Sequence, residues 1–333
     1  MNFKPVQILS VGKAVPDTVI TNDDLSKILD TSDEWISTRT GIKKRHIASG
    51  DENSTMFGIL AAKEALEKSG INPDEIDAII VASSNAYNIY PSTGCAIQEA
   101  IGAKNAIAFD ITAACTGMLY ALEIGRSFIT SGKYKNILLV ATDTNSKFVD
   151  WQDRATCVLF GDGAGAFVIS EAKDGVDDII ALDINADGNL GKHINMNLVG
   201  KNCPLVEPAT SKQTTIWMNG REVYKFVVQT MPESISRCLE HANLEPKDID
   251  YLIPHQANQR IIEGLQKRLD FDNEQVIVNI QEYGNTSAAS VPIALSEALN
   301  SGKIKTPSTA ILCAFGAGMA WGSAIVRLRE NLK

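Results

Sequence analysis

Five short apolar runs punctuate the chain: "AIIVASS" from Ala78, "NILLVATD" from Asn136, "AGAFVIS" from Ala164, "VIVNI" from Val276 and "TAILCAF" from Thr309. Their length and β-branched content predict buried strands. Between them, apolar positions recur at helical spacing over Met56–Ser69, Met118–Ser131 and Val223–His241. Short strands alternating with longer helices predict an α/β architecture, with sheets covered by helices.

The pattern repeats itself. "ALEKSGINPDEIDAII" (Ala65–Ile80) matches "CLEHANLEPKDIDYLI" (Cys238–Ile253) at Leu, Glu, Pro, Ile, Asp and Ile, an offset of 173 residues. Each reads as a helix end, a proline turn and a strand. At the same offset "ILLVA" (Ile137–Ala141) falls on "AILCA" (Ala310–Ala314). Similarity at a fixed long period in matched order indicates duplicated halves. They are expected to meet between Ser170 and Asp183, giving halves of residues 1–175 and 176–333. Aligning "SGK" at Ser131–Lys133 with Ser301–Lys303 puts three extra residues before the second copy's strand. Upstream of them the offset becomes 170, which sets Cys115 opposite Asn285.

Composition narrows the function. The chain has 333 residues, 44% hydrophobic and 21% charged, in the range of an ordinary globular protein. Its net charge of −9 argues against general nucleic-acid binding and leaves room for local basic patches. No apolar run approaches the ~18 residues of a membrane span. The opening "MNFKPVQILSVGKAVP" lacks the apolar region of a secretory signal, so a cytoplasmic location is expected. Six dispersed cysteines and four dispersed histidines show no metal-ligand spacing, so neither a metal nor a disulfide framework is expected.

Cys115 stands out in "DITAACTGMLYAL", where a strand-like run gives way to helical spacing. One reading is a small buried hydrophobe at a tight turn. The other is a nucleophile, because a helix N-terminus favours the thiolate. Three further segments follow strand-like runs and carry small or polar residues: "PHQANQR" (Pro254–Arg260), "GNTSAAS" (Gly284–Ser290) and "AFGAGMAWG" (Ala314–Gly322). Such loops build active sites in α/β proteins. "GDGAGA" (Gly161–Ala166) imitates a dinucleotide loop, but a strand-like run follows it where a helix is needed, so it reads as a tight strand connection.

Taken in order, "GKAVPDTVITNDDL", "DEWISTRTGIKKRHIA", "DITAACTG", "RATCVLFGDGAGA", "PHQANQRI", "GNTSAAS" and "AFGAGMAWGSAIVRL" resemble the beta-ketoacyl-[acyl-carrier-protein] synthase III family over nearly the whole chain. The resemblance implies a thiolase-like fold of two βαβαβαββ halves in five α-β-α-β-α layers. It implies that Cys115 accepts an acyl group from acyl-CoA. His255 and Asn285 would then stabilise the enolate formed when malonyl-acyl carrier protein loses carbon dioxide. The Cys115 and Ala317 N–H groups would form the oxyanion hole. Ala317 stands where the family usually has glycine, and its N–H can serve there if its φ is negative.

The same resemblance implies that Trp35 and Arg154 sandwich adenine, that Arg39 lies near the CoA phosphates, and that Asn258 lines the pantetheine tunnel. Lys225, Arg260 and Lys267 would face the carrier protein, within a set of basic candidates that includes Lys43, Lys44, Arg45, Arg221 and Arg268. The Lys43–Arg45 run is expected to be solvated surface charge. Phe160 and Tyr90 would shape the acyl pocket, Tyr90 by reaching across a homodimer, which implies a short primer such as acetyl. The CoA thioester is a substrate, and no cofactor is expected. A secondary-metabolism ketosynthase of the same fold is the alternative. A degradative thiolase fits less well, because Ala314 stands where its second cysteine belongs. A nucleotide-dependent oxidoreductase built on "GDGAGA" fits less well again.

Overall fold

The computed structural model describes residues 3–198, 203–207, 214–330 and 332. The first sheet is built from β1 (Val6–Ala14), β2 (Ala78–Ala82), β3 (Ile107–Ile111), β4 (Asn136–Thr144) and β5 (Asp162–Glu171), in the order β1-β5-β4-β2-β3. The second contains β6 (Ile179–Ala186), β7 (Tyr251–Pro254), β8 (Ser308–Gly316) and β9 (Ala320–Leu328), in the order β6-β9-β8-β7. Four strands of the first sheet match the four of the second in order and in parallel or antiparallel sense, and β3 has no counterpart among the described residues. Even the register repeats. Ala78 pairs with Ile137, and Tyr251 pairs with Ala310, each member displaced by 173 residues.

Helices α1 (Asp33–Thr40), α2 (Ser54–Ser69), α3 (Thr93–Ile101), α4 (Gly117–Thr130), α5 (Gly220–Ala242), α6 (Gln259–Leu269) and α7 (Ser290–Asn300) complete the layers. α2 and α3 cover the outer face of the first sheet, α4 and α7 lie between the sheets, and α5 packs outside the second with α6 against it. This is the five-layer α-β-α-β-α arrangement of the thiolase-like fold. Apolar faces explain the layering. Leu119, Leu122, Ile293 and Leu295 from the two middle helices share one buried cluster with Ile137, Leu139 and Leu312 from the sheets. Among the described residues, no helix is long and apolar enough to cross a membrane.

Three expectations need correction. "VIVNI" is not a strand; only Val276 bridges to Leu252. Beyond that bridge the Gln256 carboxamide takes over the ladder, donating to the Ile277 carbonyl at 3.1 Å and accepting from the Asn279 N–H at 3.1 Å. "GDGAGA" is not a connection, because β5 itself starts at Asp162. Its glycines admit the middle helix: a Cβ at Gly165 would lie 2.5 Å from Pro292 Cγ. Finally, Cys115 does not correspond to Asn285. α4 and α7 begin 173 residues apart, at Gly117 and Ser290, and end 170 apart, at Thr130 and Asn300. The second copy shortens its helix by three residues, and the offset returns to 173 upstream. Cys115 therefore corresponds to Ala288.

Gly165→Ala is expected to lower unfolding stability by about 1–3 kcal/mol through overpacking against Pro292, measured from the denaturant midpoint. A loss below about 0.5 kcal/mol would show that α7 does not press on β5 as described.

Candidate active site

Cys115 lies in the turn Ala114–Thr116 that joins β3 to α4. Ala114 holds φ at +46°, a region that non-glycine residues seldom occupy. No side chain caps the N-terminus of α4, so its first N–H groups stay open towards the turn. Gly316, at the end of β8, comes so close that a Cβ there would sit 2.7 Å from the Cys115 nitrogen. The corresponding turn of the second half is built alike: Ser287 has φ +54°, and α7 also starts without a side-chain cap. The turns meet, with the Ser287 hydroxyl 3.5 Å from Cys115 Sγ.

Two effects compete at the thiol. The helix N-terminus favours the thiolate by up to about 2 kcal/mol, roughly one and a half pKa units. Burial works the other way and dominates. It pushes Cys115 up to about 12, with Ser287 lowering and the Asp143 carboxylate further raising the value. The resting group is a thiol.

His255 follows β7 and is buried, its N–H bonded to the Cys313 carbonyl at 2.7 Å. Its Nδ1 lies 2.6 Å from Ser290 Oγ, on the first residue of α7. With the Ser290 hydroxyl donating to Nδ1, the ring proton sits on Nε2. Burial lowers His255 to about 3, so the ring is neutral. Asn285 is fixed from two sides. Its N–H donates to the Leu159 carbonyl at 2.8 Å, and its carbonyl accepts from Gly161 at 3.0 Å. Its side-chain oxygen accepts the Ser287 N–H at 2.8 Å, which leaves the NH₂ group to donate. Phe315 meets the His255 ring edge-on at a centroid distance of 5.3 Å.

A cavity of about 420 Å³ has Cys115, Asn285, Phe315 and Ala317 on its wall. His255 is not among the residues on that wall, and its ring packs edge-on against Phe315, which is. Ala317 is not among the residues with positive φ; Gly318, at φ +137°, carries that conformation instead. Trp35, Arg39, Asn258, Arg260 and Phe160 line the same cavity. Arg39 and Arg154 each stack on the Trp35 ring, at 4.5 and 5.1 Å. An adenine can enter between Trp35 and Arg154 only if the guanidinium, tethered to Asp30, moves away. Asn258 also caps α6, accepting the Arg260 N–H at 2.9 Å. Lys225 is paired with Glu222 at 2.6 Å, and Lys267 lies in the last turn of α6.

Tyr90 is 87% exposed and does not line this cavity. One expectation needs correction. Arg45 is not surface charge but fully buried, donating to the Val158 carbonyl at 2.9 Å and the Ile20 carbonyl at 3.2 Å. Burial lowers it to about 10. The arginine braces the segment that carries Phe160. Sequence reading missed Ser287, Ser290, Phe315, Asp143 and Asn145. Ser287, Ser290 and Phe315 lie inside segments already singled out, whereas Asp143 lies near the end of the apolar strand β4 and Asn145 just after it, with no local signal.

A thiol on a helix N-terminus, an amide donor and a neutral histidine, set between two matched halves, define a thiolase-like condensing acyltransferase. Comparison with known proteins narrows this. Family models for 3-oxoacyl-[acyl-carrier-protein (ACP)] synthase III and its C-terminal part match residues 109–188 and 239–328. The beta-ketoacyl-[acyl-carrier-protein] synthase III of Natranaerobius thermophilus is 45% identical over 324 residues, covering 96% of this chain and 98% of that one. The crystal structure of 3-oxoacyl-[acyl-carrier-protein] synthase III from Aquifex aeolicus superposes with a TM-score of 0.89 at 45% identity, covering 97% of this chain and 100% of the other. The priming beta-ketosynthase of a polyketide biosynthetic pathway is more distant in sequence at 33% identity, with a TM-score of 0.91 and coverage of 98% and 97%. The chain belongs to the beta-ketoacyl-[acyl-carrier-protein] synthase III family.

The His255 imidazole is expected to stay neutral, with its proton on Nε2, from pH 8 down to 5 in nitrogen-detected NMR spectra; a transition near pH 6.5 would contradict its burial. Ser290→Ala, by freeing the tautomer, is expected to slow malonyl decarboxylation on the order of 10-fold while leaving acyl loading intact. Asp143→Asn removes a negative charge facing the thiol. Its alkylation profile at Cys115 is expected to shift to lower pH than that of the parent; an unchanged or higher midpoint would remove Asp143 from the electrostatics of the site.

Proposed function

We propose that Cys115 takes a short acyl group from acyl-CoA and that the second half of the chain then condenses it with malonyl-acyl carrier protein. The observation that carries this reading is one cavity running from Trp35 and Arg39 to Cys115 and Asn285. In the first step the Cys115 sulfur attacks the thioester carbonyl, the C–S bond to CoA breaks, and the CoA thiolate leaves with the proton. The Cys115 and Ala317 N–H groups hold the oxyanion, a role compatible with the φ of Ala317. In the second step the malonyl carboxylate leaves as carbon dioxide and its bonding pair becomes an enolate. His255 Nε2–H and the Asn285 NH₂ donate to that enolate oxygen. The carbanion attacks the acyl-Cys115 carbonyl, a C–C bond forms, the C–S bond to Cys115 breaks, and the departing sulfur takes up a proton from solvent to return to the thiol as the 3-oxoacyl product is released. A neutral His255 suits this role, because it has a proton to donate without first gaining a charge.

Trp35, Arg39, Arg154 and Asn258 are the proposed CoA contacts. Arg260 at the cavity mouth, with Lys225 and Lys267 on the adjoining helices, forms the proposed carrier-protein surface. Tyr87, Ile89 and Tyr90 are 65%, 75% and 87% exposed in one segment, an apolar edge suited to a second copy of the chain. Six free cysteines suit a reducing, cytoplasmic setting. No cofactor is invoked; the CoA thioester is the substrate. Initiation of type II fatty-acid synthesis is favoured over a secondary-metabolism role by the curated relatives at 45% identity, against 33% for the polyketide enzyme.

Two assays separate the half-reactions: intact mass of the acyl-enzyme, and carbon dioxide release from malonyl-acyl carrier protein. Cys115→Ser is expected to abolish loading. Asn285→Ala is expected to retain loading and lose 10²–10³-fold in decarboxylation. Equal loss of both activities in Asn285→Ala would contradict the division of labour.

A further inference from the structure

The cavity wall formed by the ends of β2 and β4 is polar. These strands are parallel neighbours, with Ala82 opposite Ala141, so the residues that follow them lie side by side. Ser84, Asn85 and Asn145 line the cavity here. Asn145 is 3% exposed, and its Nδ2 has no partner among the described residues. The orientation of that amide follows from a chain of fixed donors. The Thr144 N–H donates to Asn85 Oδ1 at 2.7 Å, so the other end of Asn85 is its NH₂ group. That group donates to Asn145 Oδ1 at 2.8 Å, which leaves Asn145 Nδ2 as the free end.

Two more atoms share this condition. Among the described residues Ser84 Oγ and Asp143 Oδ2 are buried and have no partner within hydrogen-bond distance. Asp143 Oδ1 is used, accepting the Ser84 N–H at 2.7 Å and the Asn85 N–H and Ser83 hydroxyl at 3.3 Å. The cluster is next to the nucleophile, because the Ser287 hydroxyl beside Cys115 Sγ also faces the Asp143 carboxyl. A hydrocarbon chain on Cys115 would leave a buried donor and two buried acceptors without partners, which is unfavourable for each of them. A hydroxyl would pair two of the three, accepting from Asn145 Nδ2 and donating to Ser84 Oγ or Asp143 Oδ2. A carboxylate would not, since Asp143 would repel it.

We infer that the acyl pocket selects a hydroxyl-bearing primer, so that the preferred donor is a short hydroxyacyl-CoA, with Asn145 as the residue that reads the hydroxyl. The inference rests on the proposed acyl loading of Cys115 and differs from the acetyl primer that the resemblance implied through Tyr90.

The test compares kcat/KM for Cys115 acylation by acetyl-, butyryl- and 2-, 3- and 4-hydroxybutyryl-CoA, followed by intact mass. One hydroxybutyryl isomer is expected to exceed butyryl by about 10- to 100-fold. Asn145→Leu is expected to erase that ratio. Asn145→Asp, which keeps the oxygen that Asn85 needs and removes the donor, is expected to erase it as well. Butyryl equal to or better than all three isomers in the parent enzyme would overturn the inference. So would a preference that survives both variants. Absence of loading by all five donors would instead overturn the acyl-loading role of Cys115, and this inference with it.

Discussion

The site depends on the meeting of two strained turns. Ala114 and Ser287 hold left-handed backbone at equivalent positions of the two halves, and each turn opens onto an uncapped helix buried between the sheets. Where they touch, a hydroxyl from one half lies 3.5 Å from the thiol of the other. Strain of this kind persists only where the surroundings over-determine it. Here the surroundings are the close approach of Gly316 to the Cys115 nitrogen, the Asn285 oxygen on the Ser287 N–H, and the packing of α4 and α7 into one core. The duplicated fold thus supplies two helix starts, and divergence has given one a nucleophile and placed donors beside the other.

Burial then sets the charge state of every group. The thiol is held protonated and His255 neutral, both by desolvation. Asp143 is raised to about 6, again mainly by burial. These shifts make opposing contributions to stability. His255 titrates at about 3 when folded and 6.5 when unfolded, so acidification below pH 6.5 favours the unfolded chain, which binds the proton first. Asp143 binds its proton more tightly when folded, so between about pH 6 and 3.8 its protonation favours the native state. In that window the two effects partly offset each other. With its thiol and imidazole uncharged, the site suits chemistry in which charge develops on the reacting atoms.

Much of this architecture was legible in the sequence, because buried strands and helix periodicity are local. The repeat at 173 residues carries through to the sheet register, since the pairs Ala78–Ile137 and Tyr251–Ala310 are both read from apolar strands. The equivalence of Cys115 with Asn285 was misread because the three missing residues lie inside α7, where helical periodicity hides a deletion of nearly one turn. Cys115, Asn285 and the residues near Trp35 were visible as residue types in a recognisable order. What could not be read were groups whose meaning comes from burial. Arg45 resembles its lysine neighbours until its contacts with Val158 and Ile20 are seen. Asn145 is an ordinary polar residue after a strand until its amide is found unpartnered against the cavity.

The central claim is that one cavity couples acyl loading on Cys115 to decarboxylative condensation in the other half. A single-turnover chase addresses it most directly: enzyme acylated on Cys115, freed of CoA, is mixed with malonyl-acyl carrier protein, and both the protein mass and the carrier-bound product are followed. Loss of the acyl group from Cys115 at the same rate as a 3-oxoacyl-carrier protein appears is the expected result. Persistence of the acyl-enzyme while malonyl groups are decarboxylated, or its release as free acid, would contradict the coupling.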